Sequence, residues 1–270
     1  MSLDLDERQR AMLAEIGVRV FAPDANFVEH RPAPADGTPP GPPRQAGGSA
    51  DLRPAGLGQP SSESASRPAP VVAEAPMRQR MPGVTEMDWD ALGQSVAACR
   101  ACRLCEGRTN TVFGVGDLQA DWMVIGEAPG ENEDLQGEPF VGQAGKLLDN
   151  MLAALAIGRR KGVYIANVLK CRPPGNRNPL PEEIAQCEPF LRRQVELLQP
   201  KIILAMGRFA VQTLLQTTEP LGRLRGRVHR YHDVPVVVTY HPAYLLRNLP
   251  DKAKAWADLC LAQEVMRKLS

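Results

Sequence analysis

The fold is decided by the stretch Trp122-Met123-Val124-Ile125-Gly126-Glu127-Ala128-Pro129-Gly130. It begins as a short apolar run with the length of a buried strand and passes directly into a segment rich in glycine and proline. Similar apolar runs recur at Val163–Ala166, Ile202–Ala205 and Val234–Thr239. Each is followed by a polar segment, so the first strand introduces a pattern that the rest of the chain repeats.

Longer amphipathic runs separate these strands and predict helices. They cover Gln143–Ala156, Pro181–Leu198, Phe209–Gln216 and Asp251–Leu269. Strands that alternate with helices four times predict an α/β fold, a three-layer α/β/α sandwich around a mostly parallel four-stranded sheet. In such folds ligands bind beyond the carboxyl ends of the strands, so the segments that follow the strands should form the site.

The N-terminal third has a different composition. Residues 1–28 could hold one short helix, and residues 29–88 are rich in Pro, Ala, Gly and Ser. Such a composition buries too little apolar surface to offset chain entropy, which predicts a disordered linker before a folded domain at 89–270. The extension could tether a segment that binds a protein partner, and an extension with no such role fits equally well.

Charge and cysteine content indicate the kind of partner and the cellular compartment to expect. Residues 1–90 carry 9 Lys/Arg and 13 Asp/Glu (net −4), and residues 91–270 carry 23 and 18 (net +5), so the folded part is mildly basic and suits nucleic acid. The charged start has no apolar h-region, so we do not expect it to be a signal peptide, and without a long apolar run we expect no membrane span. Six cysteines in such a chain predict a reducing, cytoplasmic setting. We expect a monomer.

Four cysteines have a layout that can converge on one metal centre. Cys99 and Cys102 form a close pair, and Cys171 and Cys187 lie far downstream in polar, proline-containing surroundings. Thiolates select zinc or an iron–sulfur cluster, and the spacing does not choose between them. Cys105 offers a third candidate for the two N-terminal positions. Cys260 falls within a helical apolar pattern, which predicts a core residue.

Several residues after the first two strands suit ligand binding. Glu127 directly follows a buried strand, where a carboxylate usually has a function, whereas Glu131, Glu133 and Asp134 resemble a solvated acidic loop. The glycine-rich segment lacks both the Walker lysine and the dinucleotide-binding spacing. Two further residues have two interpretations each: Phe140 could be core or could stack on a planar ligand, and Asn167 could form a turn or pair with an imide edge.

Two later segments suit contact with nucleic acid. The loop that begins Arg172-Pro173-Pro174 is rigid and basic, as expected of a surface that presses on a phosphate backbone, although a plain connector looks similar. The last strand is followed by His241, and a lone histidine is more often structural than catalytic. Leu245 and Leu246, an apolar pair expected to be exposed beside Arg247, could wedge between base steps.

Together these segments closely resemble the family 4 uracil-DNA glycosylases, the iron–sulfur branch of the uracil-DNA glycosylase superfamily. The resemblance covers roughly residues 95–269. Its motifs are Cys99-Arg-Ala-Cys102, Gly126-Glu-Ala-Pro-Gly130, Pro139-Phe-Val-Gly142, Asn167-Val-Leu-Lys-Cys-Arg-Pro-Pro174 and His241-Pro-Ala-Tyr-Leu-Leu-Arg-Asn248. Ala128 stands where many relatives have glycine.

The resemblance implies a role for each motif. It implies a structural [4Fe–4S] cluster on Cys99, Cys102, Cys171 and Cys187, with Cys105 as a non-ligand. Uracil in DNA would be flipped into a pocket, where Phe140 stacks on the base, Asn167 bonds its O4 and N3–H edge, and the backbone near Ala128 binds O2. His241 would stabilise the departing uracil anion, and Glu127 would position the attacking water. Leu245, Leu246 and Arg247 would fill the gap that the base leaves.

Two other functions compete with this interpretation. One is a DNA-binding module whose cysteines hold zinc or a cluster and whose pocket is inactive. The other is a nucleotide hydrolase or transferase that uses the glycine-rich loop, which the missing phosphate-binding lysine disfavours. A brown protein with broad visible absorption would exclude zinc as the native metal.

Overall fold

The computed structural model describes residues 83–269, and these contain a six-stranded mixed sheet. The strands are β1 (Val115–Gly116), β2 (Trp122–Gly126), β3 (Val163–Asn167), β4 (Ile202–Met206), β5 (Val228–Tyr231) and β6 (Val234–Thr239). Their order across the sheet is β1-β3-β2-β4-β6-β5. The four central strands are parallel, and β1 and β5 add to the two edges in antiparallel orientation.

Nine α-helices lie within the described residues. They are α1 (Trp89–Ala98), α2 (Leu104–Gly107), α3 (Glu131–Gln136), α4 (Gln143–Ala154), α5 (Pro181–Leu198), α6 (Arg208–Leu215), α7 (Leu221–Leu224), α8 (Pro242–Leu245) and α9 (Lys252–Leu269). Short 3-10 turns occur at Val84–Glu86, Pro174–Asn176 and Leu249–Asp251. None of the helices in this part of the chain has the length and apolarity that crossing a membrane requires.

Helices cover both faces of the sheet, because alternate side chains of each buried strand point to opposite faces. Val124 and Leu204 join a core with apolar residues of α4 and α9. Their neighbours Met123 and Ile203 join a second core with residues of α5 and α6. The predicted three-layer α/β/α architecture is therefore confirmed.

The prediction differs from the structure mainly at the sheet edges. The four predicted strands are the four parallel ones, whereas β1 and β5 were missed. β1 is only two residues long, and two of the four residues of β5 are exposed and only one is buried. Neither strand therefore leaves a clear apolar run in the sequence. The proposed helix in residues 1–28 and most of the proposed linker lie outside the described residues. At the linker's end, Val84 is already buried against Phe190 and its neighbours, so packing begins before residue 89.

Candidate functional site

A cleft of about 790 Å³ lies at the carboxyl edge of the parallel strands. Each central strand delivers residues to it directly from its end: Glu127 and Ala128 after β2, Asn167 at the end of β3, Gly207 and Arg208 after β4, and His241 after β6. Parallel strands carry their carboxyl ends to one edge of the sheet, which is why these distant segments meet.

Glu127 is held where its carboxylate loses solvation. Burial raises the pKa of Glu127 to about 7, and the positive charge of Arg208 opposes that rise. The group therefore changes its protonation state near neutral pH, the range in which a general base is most effective. Glu127 and Arg208 both line the cleft.

His241 is a neutral hydrogen-bond donor at neutral pH. Burial lowers its pKa to about 4, with Arg247 lowering it further and Glu133 opposing the shift. His241 is the N-cap of α8, and its Nδ1 accepts a hydrogen bond from Ala243 N at 3.2 Å. Because Nδ1 accepts, the proton of the neutral ring is on Nε2. A neutral imidazole of this kind can donate its Nε2–H to a developing anion without first gaining a second proton.

Asn167 presents an unsatisfied acceptor. Its side chain belongs to a residue only 2% exposed, and Oδ1 has no hydrogen-bond partner among the described residues. A buried acceptor without a partner is costly and is typical of a position that a ligand completes. Gly126 makes room for it, since a β-carbon there would lie 2.5 Å from Phe140 Cζ and would also collide with Asn167 Oδ1.

Phe140 is a core residue, as one of the two interpretations predicts, and it also lines the cleft. Its stacking on a planar ligand stays a prediction. Its ring stacks on His241 with centroids 5.3 Å apart and planes at 26°. Its backbone has φ 56°, a left-handed conformation that costs a bulky residue energy. Arg159 holds this turn, donating to Pro139 O and Phe140 O at 2.7 Å each. Sequence reasoning missed Arg159, because nothing near position 159 signals a partner twenty residues earlier.

The acidic segment after Glu127 is not a solvated loop. Glu133 accepts hydrogen bonds from Gly130 N at 3.1 Å, Val141 N at 3.0 Å and Gly142 N at 3.3 Å, so it joins two walls of the cleft. Asp134 is buried and accepts from Thr109 N at 3.0 Å. The prediction that these two carboxylates are solvated is therefore wrong. The available signal was the capping-box position of Glu133, three residues after the N-cap of α3.

The residues expected to contact DNA lie around the mouth of the cleft, with one exception. Pro173 and Arg247 line it, and the exposed Pro174 begins the neighbouring 3-10 turn. Arg172 donates to Asn176 Oδ1 at 2.8 Å and pairs with Glu131 at 3.7 Å.

The exception concerns the leucine pair. Leu246 is 40% exposed, but Leu245 is 1% exposed and packs in the core beneath α8. The expectation that both leucines are exposed is wrong for Leu245, because one helical turn directs adjacent side chains to different sides. The wedge hypothesis therefore narrows to Leu246 and Arg247.

Five cysteines line a second, much smaller cavity. They are Cys99, Cys102, Cys105, Cys171 and Cys187. Arg108 Nη1 donates to Cys171 Sγ at 3.1 Å, and Cys171 and Cys187 are buried. Within residues 83–269 no three potential ligands are close enough together to hold one metal ion. An all-thiol set spread around one cavity fits a multi-iron cluster better than a single zinc ion, because bridging sulfides separate the ligands.

The chain is similar in sequence to several known proteins. A family model described as the uracil DNA glycosylase superfamily matches residues 113–260. A type-4 uracil-DNA glycosylase of Archaeoglobus fulgidus is 46% identical over 165 residues, which are 58% of this chain and 82% of the relative. One of Thermotoga maritima is 44% identical over 161 residues, 59% of this chain and 83% of the relative. A type-5 uracil-DNA glycosylase of Thermus thermophilus is 31% identical over 160 residues, 48% of this chain and 73% of the relative.

Proposed function

This chain belongs to the uracil-DNA glycosylase superfamily, and we propose that its cleft receives uracil flipped out of DNA and hydrolyses the N-glycosidic bond there. It is a uracil-excising DNA-repair glycosylase of the type-4 kind. The observation that carries the residue assignment is the convergence of Glu127, Phe140, Asn167 and His241 on one cleft at the carboxyl edge of the sheet.

Base recognition rests on Asn167 and Phe140. A base inside a duplex cannot be reached, so the nucleotide must leave the stack and enter the cleft. The unsatisfied Asn167 Oδ1 would accept the N3–H of uracil, and the amide NH₂ would donate to O4. Cytosine presents an acceptor at N3 and a donor at position 4, so it would leave these groups unpaired. Phe140 would stack on the base, and the backbone near Ala128 would donate to O2.

Bond cleavage uses His241 and Glu127. As the bond between the sugar C1′ and uracil N1 breaks, its electron pair passes to the base, and positive charge develops on the sugar. The Nε2–H of the neutral His241 would donate to the uracil oxygen on which negative charge develops. Ionised Glu127 would favour the cationic sugar, orient a water towards C1′ and accept its proton. The segment 172–181 contains no histidine that could attack the sugar and remain covalently attached to the DNA. We therefore propose that the enzyme releases its product and turns over.

The rim of the cleft would hold the DNA. Leu246 and Arg247 would occupy the space left in the duplex by the flipped nucleotide. Arg172, with the rigid Pro173 and Pro174, would press on the phosphate backbone. The mild positive charge of residues 91–270 supports this arrangement.

The cysteine cavity would hold a [4Fe–4S] cluster on Cys99, Cys102, Cys171 and Cys187. Its contribution would be structural, because it would crosslink three segments: the α1–α2 region, helix α5, and the loop that follows β3. Hydrolysis of the N-glycosidic bond requires no redox step. We further propose that the protein acts as a monomer in the cytoplasm and that the N-terminal segment is available to a protein partner. Gel filtration tests the first of these, and iron and sulfide quantification of a brown preparation tests the cluster.

The activity is tested on an end-labelled oligonucleotide with one uracil, followed by alkaline cleavage of abasic sites. We expect strand scission by the wild type and a loss of about 10²–10³-fold for His241→Ala, since removing one preorganised donor has that effect. Glu127→Gln should lose about 10²–10⁴-fold. Glu138→Gln is the matched control, because within residues 83–269 the Glu138 side chain pairs with the exposed Arg160 and with no other cation. Equal scission by wild type and both site variants would contradict the assignment.

A further inference from the structure

Lys170 is a buried lysine, and within residues 83–269 no carboxylate forms an ion pair with it. It is 1% exposed and follows Asn167 by three residues. Its Nζ donates to Asn167 O at 2.8 Å and to Gln194 Oε1 at 2.7 Å. A buried polar group is costly unless it is hydrogen-bonded, so these two contacts hold the end of the Lys170 side chain in place.

Gln194 is itself fixed from behind. It is fully buried on α5, and its Nε2 donates to Phe113 O at 2.9 Å and to Tyr164 Oη at 3.2 Å. The amide therefore cannot rotate without losing bonds on both sides. Because Tyr164 belongs to β3, the chain of contacts starts and ends on the strand that carries Asn167.

The bond from Lys170 reaches Asn167 at the point where the chain leaves the sheet. The next two residues continue the ladder, with Val168 N donating to Gly126 O at 3.0 Å and Leu169 N to Glu127 O at 3.1 Å. The carbonyl of Asn167 instead points to Lys170, which holds this peptide from the interior. A side chain that discriminates bases must be held within about 0.5 Å of its productive position.

Lys170 also contacts the cysteine cavity through its backbone. Its N–H donates to the thiol of Cys187, and its carbonyl accepts from Val112 N at 2.8 Å. One residue thus has its backbone against a cysteine and its side chain against the base-reading asparagine.

We propose that Lys170 and Gln194 form a positioning pair that aims the Asn167 amide, so that discrimination between uracil and cytosine depends on this buried contact as well as on Asn167. The inference rests on the proposed function, in which Asn167 reads the base. Neither Lys170 nor Gln194 touches substrate. Their effect on the reaction passes through the Asn167 carbonyl.

The test uses Gln194→Met in the full chain, which removes both the acceptor for Lys170 and the donors to Phe113 and Tyr164. We expect kcat/KM on a uracil oligonucleotide to fall by about 10–100-fold, since small misplacement of a positioning group has that effect. Excision from the same oligonucleotide with cytosine should not fall, so the uracil-to-cytosine ratio narrows. Inhibition by free uracil should weaken in parallel. Gln194→Glu keeps the acceptor for Lys170 and should restore most of the ratio.

A double-mutant cycle separates positioning from general destabilisation. In an Asn167→Ala background, Gln194→Met should change the ratio less than twofold, because the group that it aims is absent. Additive effects, or an unchanged ratio in the single variant, would overturn the inference. If Gln194→Met does not fold, Tyr164→Phe removes one anchor of Gln194 and should shift the ratio in the same direction. A wild type that releases no uracil would instead refute the proposed function.

Discussion

Gly126 is a residue at which the pocket wall leaves no room for a β-carbon. A β-carbon there would lie 2.5 Å from Phe140 Cζ and would collide with Asn167 Oδ1. We predict that Gly126→Ala lowers kcat/KM for uracil excision by about 10–100-fold, because overpacking costs about 1–3 kcal/mol and each 1.4 kcal/mol is tenfold. Gly158→Ala is the matched control, since a β-carbon there meets nothing within 4 Å. Comparable activity of the two variants would show that the pocket is more compliant than the structure indicates.

The protonation state of Glu127 predicts the pH profile. Its pKa is raised to about 7, and the ionised form is the one that accepts a proton, so kcat/KM should rise with pH and level off above about 7. His241 has a pKa lowered to about 4, so its protonation occurs at a pH far below this rise in kcat/KM. Arg208→Gln removes the charge that opposes the shift, so the limb should move to higher pH. A limb that stays in place, or moves to lower pH, would contradict the role of Arg208.

At the scale of elements, the turn that carries Phe140 depends on a distant arginine. Arg159 donates two bonds to the carbonyls of Pro139 and Phe140 and pairs with Asp149 at 2.9 Å. We predict that Arg159→Met lowers the free energy of unfolding by about 2–3 kcal/mol, since hydrogen bonds from charged groups are the strong ones. It should also raise KM for uracil DNA, because Phe140 loses its support. Denaturant titration and steady-state kinetics measure the two effects.

The neighbouring arginine provides the control for this experiment. Arg160 pairs with Glu138 at the surface and its side chain is 73% exposed. Arg160→Met should therefore change stability by less than about 0.5 kcal/mol and leave KM unchanged. Equal effects of the two substitutions would mean that the contacts of Arg159 do not hold the turn.

The same elements show what sequence reasoning can recover. Buried parallel strands leave continuous apolar runs and amphipathic helices leave periodic apolar patterns, so the central strands and the residues at their ends could be predicted. Edge strands β1 and β5 leave weak patterns, and contacts such as Arg159 with Phe140 or Glu133 with Val141 depend on tertiary proximity. The prediction that Leu245 is exposed was wrong for a related reason. The sequence signal of an apolar residue after the last strand is the same whether α8 directs its side chain into the core or towards solvent.

At the scale of the whole molecule, the cysteine cavity joins segments far apart in the chain. Cys99, Cys102 and Cys105 lie around α1 and α2, Cys171 follows β3, and Cys187 is on α5. A bound metal centre that crosslinks such distant segments stabilises the folded chain, because the unfolded chain cannot offer the same ligand set. Stability should therefore follow metal content.

Single cysteine substitutions in the full chain test the proposed cluster and which thiols would hold it. We predict that Cys171→Ala abolishes iron content and visible absorption and lowers Tm, because it removes a ligand between the two N-terminal cysteines and α5. Cys105→Ala should retain iron, colour and Tm, whereas Cys99→Ala should lose all three. Metal analysis, absorption spectra and thermal unfolding of each purified variant make the comparison. If Cys99→Ala kept iron, colour and Tm and Cys105→Ala lost them, the N-terminal ligands would be Cys102 and Cys105. The centre would then be attached to α2 instead of the end of α1.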